Sequence, residues 1–307
     1  MRKHTGTPAR HNPHAASRAR LARRVAAPLF LAFALALALA ATVAPAAPSA
    51  RAQVELTPLQ HEVRVQTARL SSADVEERRD AVVRLGAMAR PEGSRAAVPA
   101  LGDPAAIVRA TAARAVLSLG PGEAAAVILP LLRDRDEFVR REAAYALGLT
   151  RSTVGLQALA AAVETDKQPS VRGAAAVALG QLGQTTAVSA LAAALSRRLQ
   201  APGFFNRVRR RKVEEDEFVR RAAAVSLGQI GSREAVPVLV ETLSDERAPG
   251  DVRREAARAL GLIGDTGAVP ALRSVLTHPD PYLSRIAFEA LRRLAPPAAS
   301  RPAGGGR

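Results

Sequence analysis

A chain of 307 residues without a single cysteine can build no disulfide, thiolate nucleophile or cysteine-based metal site. Its formal charge of +16 suggests a polyanion partner. However, residues 1–52 hold Arg2, Lys3, Arg10, Arg18, Arg20, Arg23, Arg24 and Arg51 with no acid, so half of that excess, +8, belongs to the N-terminus.

The N-terminal stretch reads as an address. The basic pair Arg23-Arg24 precedes an uncharged run, VAAPLFLAFALALALAATVA (Val25 to Ala44), and then small residues spaced A-x-A at Ala50 and Ala52. Basic, apolar and small-residue regions in that order predict a bacterial export signal over residues 1–52, cleaved after Ala52 to leave Gln53. The alternative is an uncleaved inner-membrane anchor, because about 20 apolar residues span a bilayer. Both place the remainder outside the cytoplasm, periplasmic or secreted in the first case and anchored in the second. Three of the five histidines, His4, His11 and His14, fall in this stretch, and His61 and His278 are far apart in sequence. No Walker loop, G-x-S-x-G or G-x-G-x-x-G is present, so neither catalysis nor a cofactor is expected.

Beyond it, one helix is written repeatedly: FVRREAAYALG at Phe138, FVRRAAAVSLG at Phe218 and DVRREAARALG at Asp251. With the Val of "VR" as position 0, copies begin at Glu77, Val108, Val139, Val171, Val219, Val252 and Leu283, spaced 31, 31, 32, 48, 33 and 31 residues apart. A period near 31 with apolar residues at positions 0, 4, 5, 7, 8 and 11 predicts stacked helix pairs. The first helix of a pair is clearest in REAVPVLVETLSD, where Pro237 falls in the first turn. AAVPALGDP predicts a shortened first helix in the second copy. Glycine at position 12 (Gly120, Gly183, Gly231, Gly264) predicts left-handed helix ends. Glycine at position 9 (Gly86, Gly148, Gly180, Gly228, Gly261) costs about 1 kcal/mol relative to alanine inside a helix. A closely approaching neighbouring backbone is the expected compensation, and Ala143-Ala144, Ala223-Ala224 and Ala256-Ala257 point the same way.

DEFVRREAAYALG and GDVRREAARALGLIGDTGAVPALRSVL resemble HEAT repeats, in the short bacterial form found in phycobilisome lyases, over about residues 54–295. The resemblance implies an all-α solenoid of about seven two-helix repeats over residues 53–295, with a basic insertion at about 197–214 and a tail at 296–307 that is disordered by composition. In this family an Asp before the second helix is often paired with an Arg six residues later. Asp103 and Arg109, Asp134 and Arg140, and Asp166 and Arg172 match that spacing and are expected to form a structural ladder between repeats. The last copy departs with His278 and Ser284, making His278 a stand-in for a ladder Asp, and Asp245 lies eight residues before Arg253.

The resemblance also implies that positions 2 and 6 of the second helix line the concave side. Position 2 is Arg in five copies of seven: Arg79, Arg141, Arg221, Arg254 and Arg285. Tyr145, Val177 and Val225 occupy position 6 of the central copies, with Gly173, Ala174 and Ala222 expected to leave room beside them. Arg141, Tyr145, Val177, Arg221, Val225 and Arg254 are therefore the candidate partner groove. The alternative is that the valines pack on adjacent helices while the arginines are simply solvated. The insertion is a second candidate contact, through Phe204, Phe205, Arg209, Arg210 and Arg211. Here the alternative is that the phenylalanines tuck into the next repeat and the basic run neutralises Glu214, Glu215 and Asp216.

These features predict a non-enzymatic scaffold or adaptor in the bacterial envelope, holding a protein partner. A binder of an anionic envelope polymer or lipid surface is the alternative, and an accessory factor resembling a bilin lyase subunit is a third reading. Export and the shortage of aromatics on which bases could stack argue against nucleic acid.

Overall fold

The structure, a computed structural model, describes residues 56–200 and 212–294. The expected export signal, the tail, and Phe204, Phe205, Arg209, Arg210 and Arg211 lie outside the described residues.

The described chain forms seven helix pairs. Each first helix is followed by a second: α1 (Pro58–Arg69) and α2 (Val75–Ala87), α3 (Pro91–Ala97) and α4 (Ala106–Ala115), and α5 (Pro121–Ile128) and α6 (Glu137–Thr150). Next come α7 (Leu156–Thr165) and α8 (Pro169–Leu182), then α9 (Val188–Ser196) and α10 (Glu217–Ile230). The last pairs are α11 (Val236–Ser244) and α12 (Gly250–Ile263), and α13 (Val269–Ser274) and α14 (Pro281–Leu294). The shortened first helix of the second copy is α3, continued only by a 3-10 turn at Val98–Gly102. Each second helix packs on the next, and all seven also pack on the first helix of their own pair. Starts are fixed locally: Thr57 and Gln60 close a capping box on α1, while Asp74, Asp136 and Asp216 cap α2, α6 and α10.

The core is built from alanine and leucine because the second helices lie so close. A Cβ added at Gly86, Gly148, Gly228 or Gly261 would sit 2.8–2.9 Å from the Cα of Ala115, Ala178, Ala259 or Ala290, and one at Gly180 would meet Ser226 Oγ at 2.5 Å. Position 9 of one repeat thus meets position 7 of the next. The second repeat has Leu117 at position 9, and there α4 has already ended at Ala115 and tightened into a 3-10 turn at Val116–Ser118.

Position 12 behaves differently from expectation at Gly120. Gly183, Gly231 and Gly264 have φ of 67°, 73° and 77°, the left-handed closure. Gly120 has φ −55° and instead caps the start of α5, because the early end of α4 brings the chain out sooner. Ala89 and Arg151 occupy the same position in the first and third copies with φ of 49° and 54°, so these L-residues carry the strain glycine avoids elsewhere.

The extra residues do not separate two repeats. They fall inside the fifth, between α9 and α10, where β1 (Arg198–Gln200) and β2 (Lys212–Glu214) pair antiparallel in the register Arg198↔Glu214, Leu199↔Val213 and Gln200↔Lys212. The helical solenoid is thus interrupted by a short antiparallel strand pair.

Helix propensity and packing pull in opposite directions at the close contacts. Gly228→Ala gains about 1 kcal/mol of propensity. It also forces its methyl onto the Ala259 backbone, which overpacking penalises by about 1–3 kcal/mol. The expected result is a variant whose urea midpoint, followed by circular dichroism, falls; a rise would refute the tight contact.

Candidate interaction surface

The second helices are held in register by a row of guanidinium–carboxylate forks. Arg78 donates Nε and Nη2 to the Asp103 carboxylate at 2.7 and 2.9 Å, Arg109 to Asp134 at 2.7 and 2.8 Å, and Arg140 to Asp166 at 2.7 and 3.0 Å. Each fork joins one repeat to the next. The six-residue spacing within a repeat reflects a different bond: Nη1 of Arg109, Arg140 and Arg172 donates to the backbone carbonyl of Asp103, Asp134 and Asp166 at 2.8–3.0 Å. Each Asp also accepts the backbone N–H two residues on, at Ala105, Asp136 and Gln168.

The Arg78 fork holds Asp103 below the usual carboxylate range. At Asp134 and Asp166 burial pushes the carboxyl up, but the guanidinium of Arg109 or Arg140 and the backbone N–H together outweigh it, so both also lie low.

Arg172 finds no Asp at the expected distance and reaches across the insertion to Glu215, whose side chain is wholly buried and also accepts from Arg197 at 3.3 Å. Glu214 pairs with Arg220, and Asp216 caps the Phe218 N–H. All three acids beside the insertion are thus engaged by the solenoid. Beyond this point the row changes. Arg220 donates to the Leu195 carbonyl at 3.0 Å, and Asp245 accepts from the Arg247 N–H instead of a guanidinium. Arg253 donates to the Leu243 carbonyl and lies 3.1 Å from His278 Nε2. Ser284 donates to the His278 carbonyl at 3.0 Å, in the place of the missing arginine. His278 Nδ1 faces the Asp280 N–H at 3.0 Å. A neutral imidazole has one lone pair, so it cannot accept from both donors as an Asp does.

The face carrying positions 2 and 6 is more closed than expected at its centre. Tyr145, Val177 and Val225 lie on α6, α8 and α10 half-buried, and Tyr145 and Val177 pack against the core. The room expected at Gly173 is occupied: a Cβ there would meet the Phe218 ring at 2.1 Å, and Ala174 and Ala222 are buried. Arg141 lies over the Phe138 ring, 5.0 Å from its centroid, and 3.3 Å from Glu142. Arg254 is tied to Asp280 and Asp251 at 2.8 and 2.6 Å and covers the Tyr282 ring, whereas Arg221 is exposed.

One open stretch of this face lies nearer the N-terminus. A groove of about 490 Å³ is bordered by Val83 and Gly86 of α2, Ala110, Thr111 and Arg114 of α4, and Phe138 and Glu142 of α6. Val83 is 47% exposed, and Arg114 leans on Glu142 at 3.3 Å. The signal for it was present in the sequence. Position 2, Arg in five copies, is Ala110 here, and α4 between its longer neighbours is short. Among the described residues no group of three His, Asp or Glu side chains is placed to hold a metal ion.

The family model described as HEAT repeats matches residues 64–148, 94–167, 125–201 and 246–302, and that described as PBS lyase HEAT-like repeat matches residues 219–245. Among solved structures the chain is similar to YibA of E. coli, at 20% identity over 76% of this chain and 81% of that one, with a TM-score of 0.54. It is also similar to the CpcE–CpcF complex of phycocyanin lyase from Nostoc (23% identity, 80% and 97% covered, TM-score 0.43). Human deoxyhypusine hydroxylase is a third such structure (20% identity, 76% and 96% covered, TM-score 0.36). A search of curated proteins finds no match.

Two outcomes follow from the forks. In the unfolded chain Asp103, Asp134 and Asp166 take up protons near pH 4, while in the folded chain they resist until lower pH. Their contribution is therefore complete above about pH 4 and is lost as the pH falls through the depressed folded values, which a denaturation series between pH 7 and pH 2 reads out. His278→Asp restores two acceptors to Arg253 and the Asp280 N–H and should stabilise the last repeats by about 1 kcal/mol, seen as slower amide exchange in α12 and α14.

Proposed function

Because the chain belongs to the HEAT-repeat family, we propose that it is a non-enzymatic scaffold holding a protein partner along its row of second helices, seated in the groove between α2, α4 and α6. The observation that carries this reading is the groove itself: an apolar wall of Val83 and Phe138, with Arg114 at its border and Arg141 over the Phe138 ring. Apolar centres with an aromatic and bordering arginines suit protein recognition. From that seat the partner continues over Tyr145, Val177 and Val225, beside the exposed Arg221.

Residues 1–52 support export to the bacterial envelope, so the partner is sought there. The alternative is a polyanion or lipid contact through Phe204, Phe205, Arg209, Arg210 and Arg211. It is favoured by one observation: Glu214, Glu215 and Asp216 are already engaged by Arg220, Arg172, Arg197 and the Phe218 N–H.

Crosslinked affinity capture of the full chain from its own cell envelope tests both readings. The partner-binding reading expects a protein recovered by wild type and reduced at least tenfold by a Val83→Asp, Tyr145→Asp variant with an unchanged circular-dichroism spectrum. Recovery that ignores those substitutions, and that consists of polymer or lipid lost steeply with added salt, would transfer the function to the insertion. Export adds that the mature protein begins at Gln53.

A further inference from the structure

The two ends of the repeat stack are finished differently, and the difference selects a partner. Position 5 of the second helix is Val82, Ala113, Ala144, Ala176, Ala224 and Ala257 in the first six repeats, each 0% exposed beneath the following repeat. In α14 it is Phe288, 54% exposed. Position 8 is buried to 1% or less in the same six repeats (Leu85, Val116, Leu147, Leu179, Leu227 and Leu260), whereas its counterpart Leu291 is only half-covered. The surface that receives a neighbour everywhere else thus ends in a bulky aromatic. Phenylalanine occurs only seven times in the chain. A terminal repeat normally presents a polar outer face.

The N-terminal end does present one. On α2 the positions that would receive a preceding repeat carry Glu77, Asp80 and Arg84, all substantially exposed. Head-to-tail stacking of copies is opposed at its closest contact by charge and size together. Position 9 of one repeat meets position 7 of the next at the five close contacts, so stacking would set Arg292 against Arg84 where glycine meets alanine or serine.

We propose that the C-terminal end, centred on Phe288 and Leu291 of α14, docks a second copy of the chain about a two-fold axis. The docking surface continues the interface that joins the repeats. An isologous contact uses the Phe288 end twice and avoids setting Arg292 against Arg84. With the two α14 helices antiparallel, Phe288 faces its own symmetry mate. Arg285 of each copy then comes within a turn of both Glu289 and Arg292 of the other, and Arg285 and Glu289 already bond each other at 3.0 Å within one chain, so the carboxylate lies between the guanidinium groups. Arg292, by contrast, is carried away from its counterpart.

The test uses the full chain. Light scattering across micromolar concentrations should give a dimer mass for wild type and a monomer for Phe288→Asp, with equal helical content. Because the chain has no cysteine, Glu289→Cys offers one thiol per copy; a short bismaleimide should join those copies and leave Arg84→Cys unjoined. A wild-type monomer at every concentration overturns the proposal, as does an oligomer that Phe288→Asp leaves intact or equal joining through Arg84→Cys. A monomer that dimerises only after residues 295–307 are removed also overturns it, by naming the chain's own tail as the occupant.

Discussion

Successive second helices touch backbone to backbone, glycine against alanine, and the rest of the architecture depends on that distance. At position 9 the Cβ is missing in five of the seven repeats because there is no space for it against position 7 of the next helix. A single helix pair cannot bury its own apolar stripe; stacking buries it, and close stacking lets side chains as small as alanine fill the core. The row of guanidinium forks can span one repeat to the next only because the helices are this near. The forks then fix the register that non-directional apolar contacts leave loose.

The insertion shows how a solenoid tolerates extra chain. Its two short strands emerge between the helices of one repeat, and Glu215, just beyond them, takes the ladder position that an Asp fills elsewhere. Arg172 and Arg197 both clasp it, so the end of the strand pair is anchored at a rung and α8 still packs on α10. Past the strands the forks at the ladder position give way to backbone carbonyls and one histidine, and α12 is joined to α14 by the Arg254–Asp280 ion pair together with the glycine contacts and apolar burial.

The candidate partner surface arises from departures from the repeat. Where Arg would stand at position 2, Ala110 leaves the depression between Val83 and Phe138; where Ala would stand at position 5, Phe288 leaves an uncovered end. A perfectly regular solenoid would offer a uniform face. In this chain the exceptions confer direction, with a groove toward one end and an apolar face at the other.

From the sequence alone, the period, the two-helix unit, the close packing at position 9, three of the four left-handed glycine ends and the spacing of the ladder residues were determined, because each is set by residues within one or two turns. Tertiary structure alone decided which partner each ladder carboxylate meets. The six-residue spacing records a backbone bond, while the fork reaches 25 or 26 residues away. It also decided that the space at Gly173 belongs to Phe218, and that Gly120 starts a helix after α4 ends early. A groove at the second repeat has the same origin, since a void exists only where no neighbour fills it. Periodicity says which way a side chain points; what stands opposite depends on a helix tens of residues away, and that is settled only when the repeats pack.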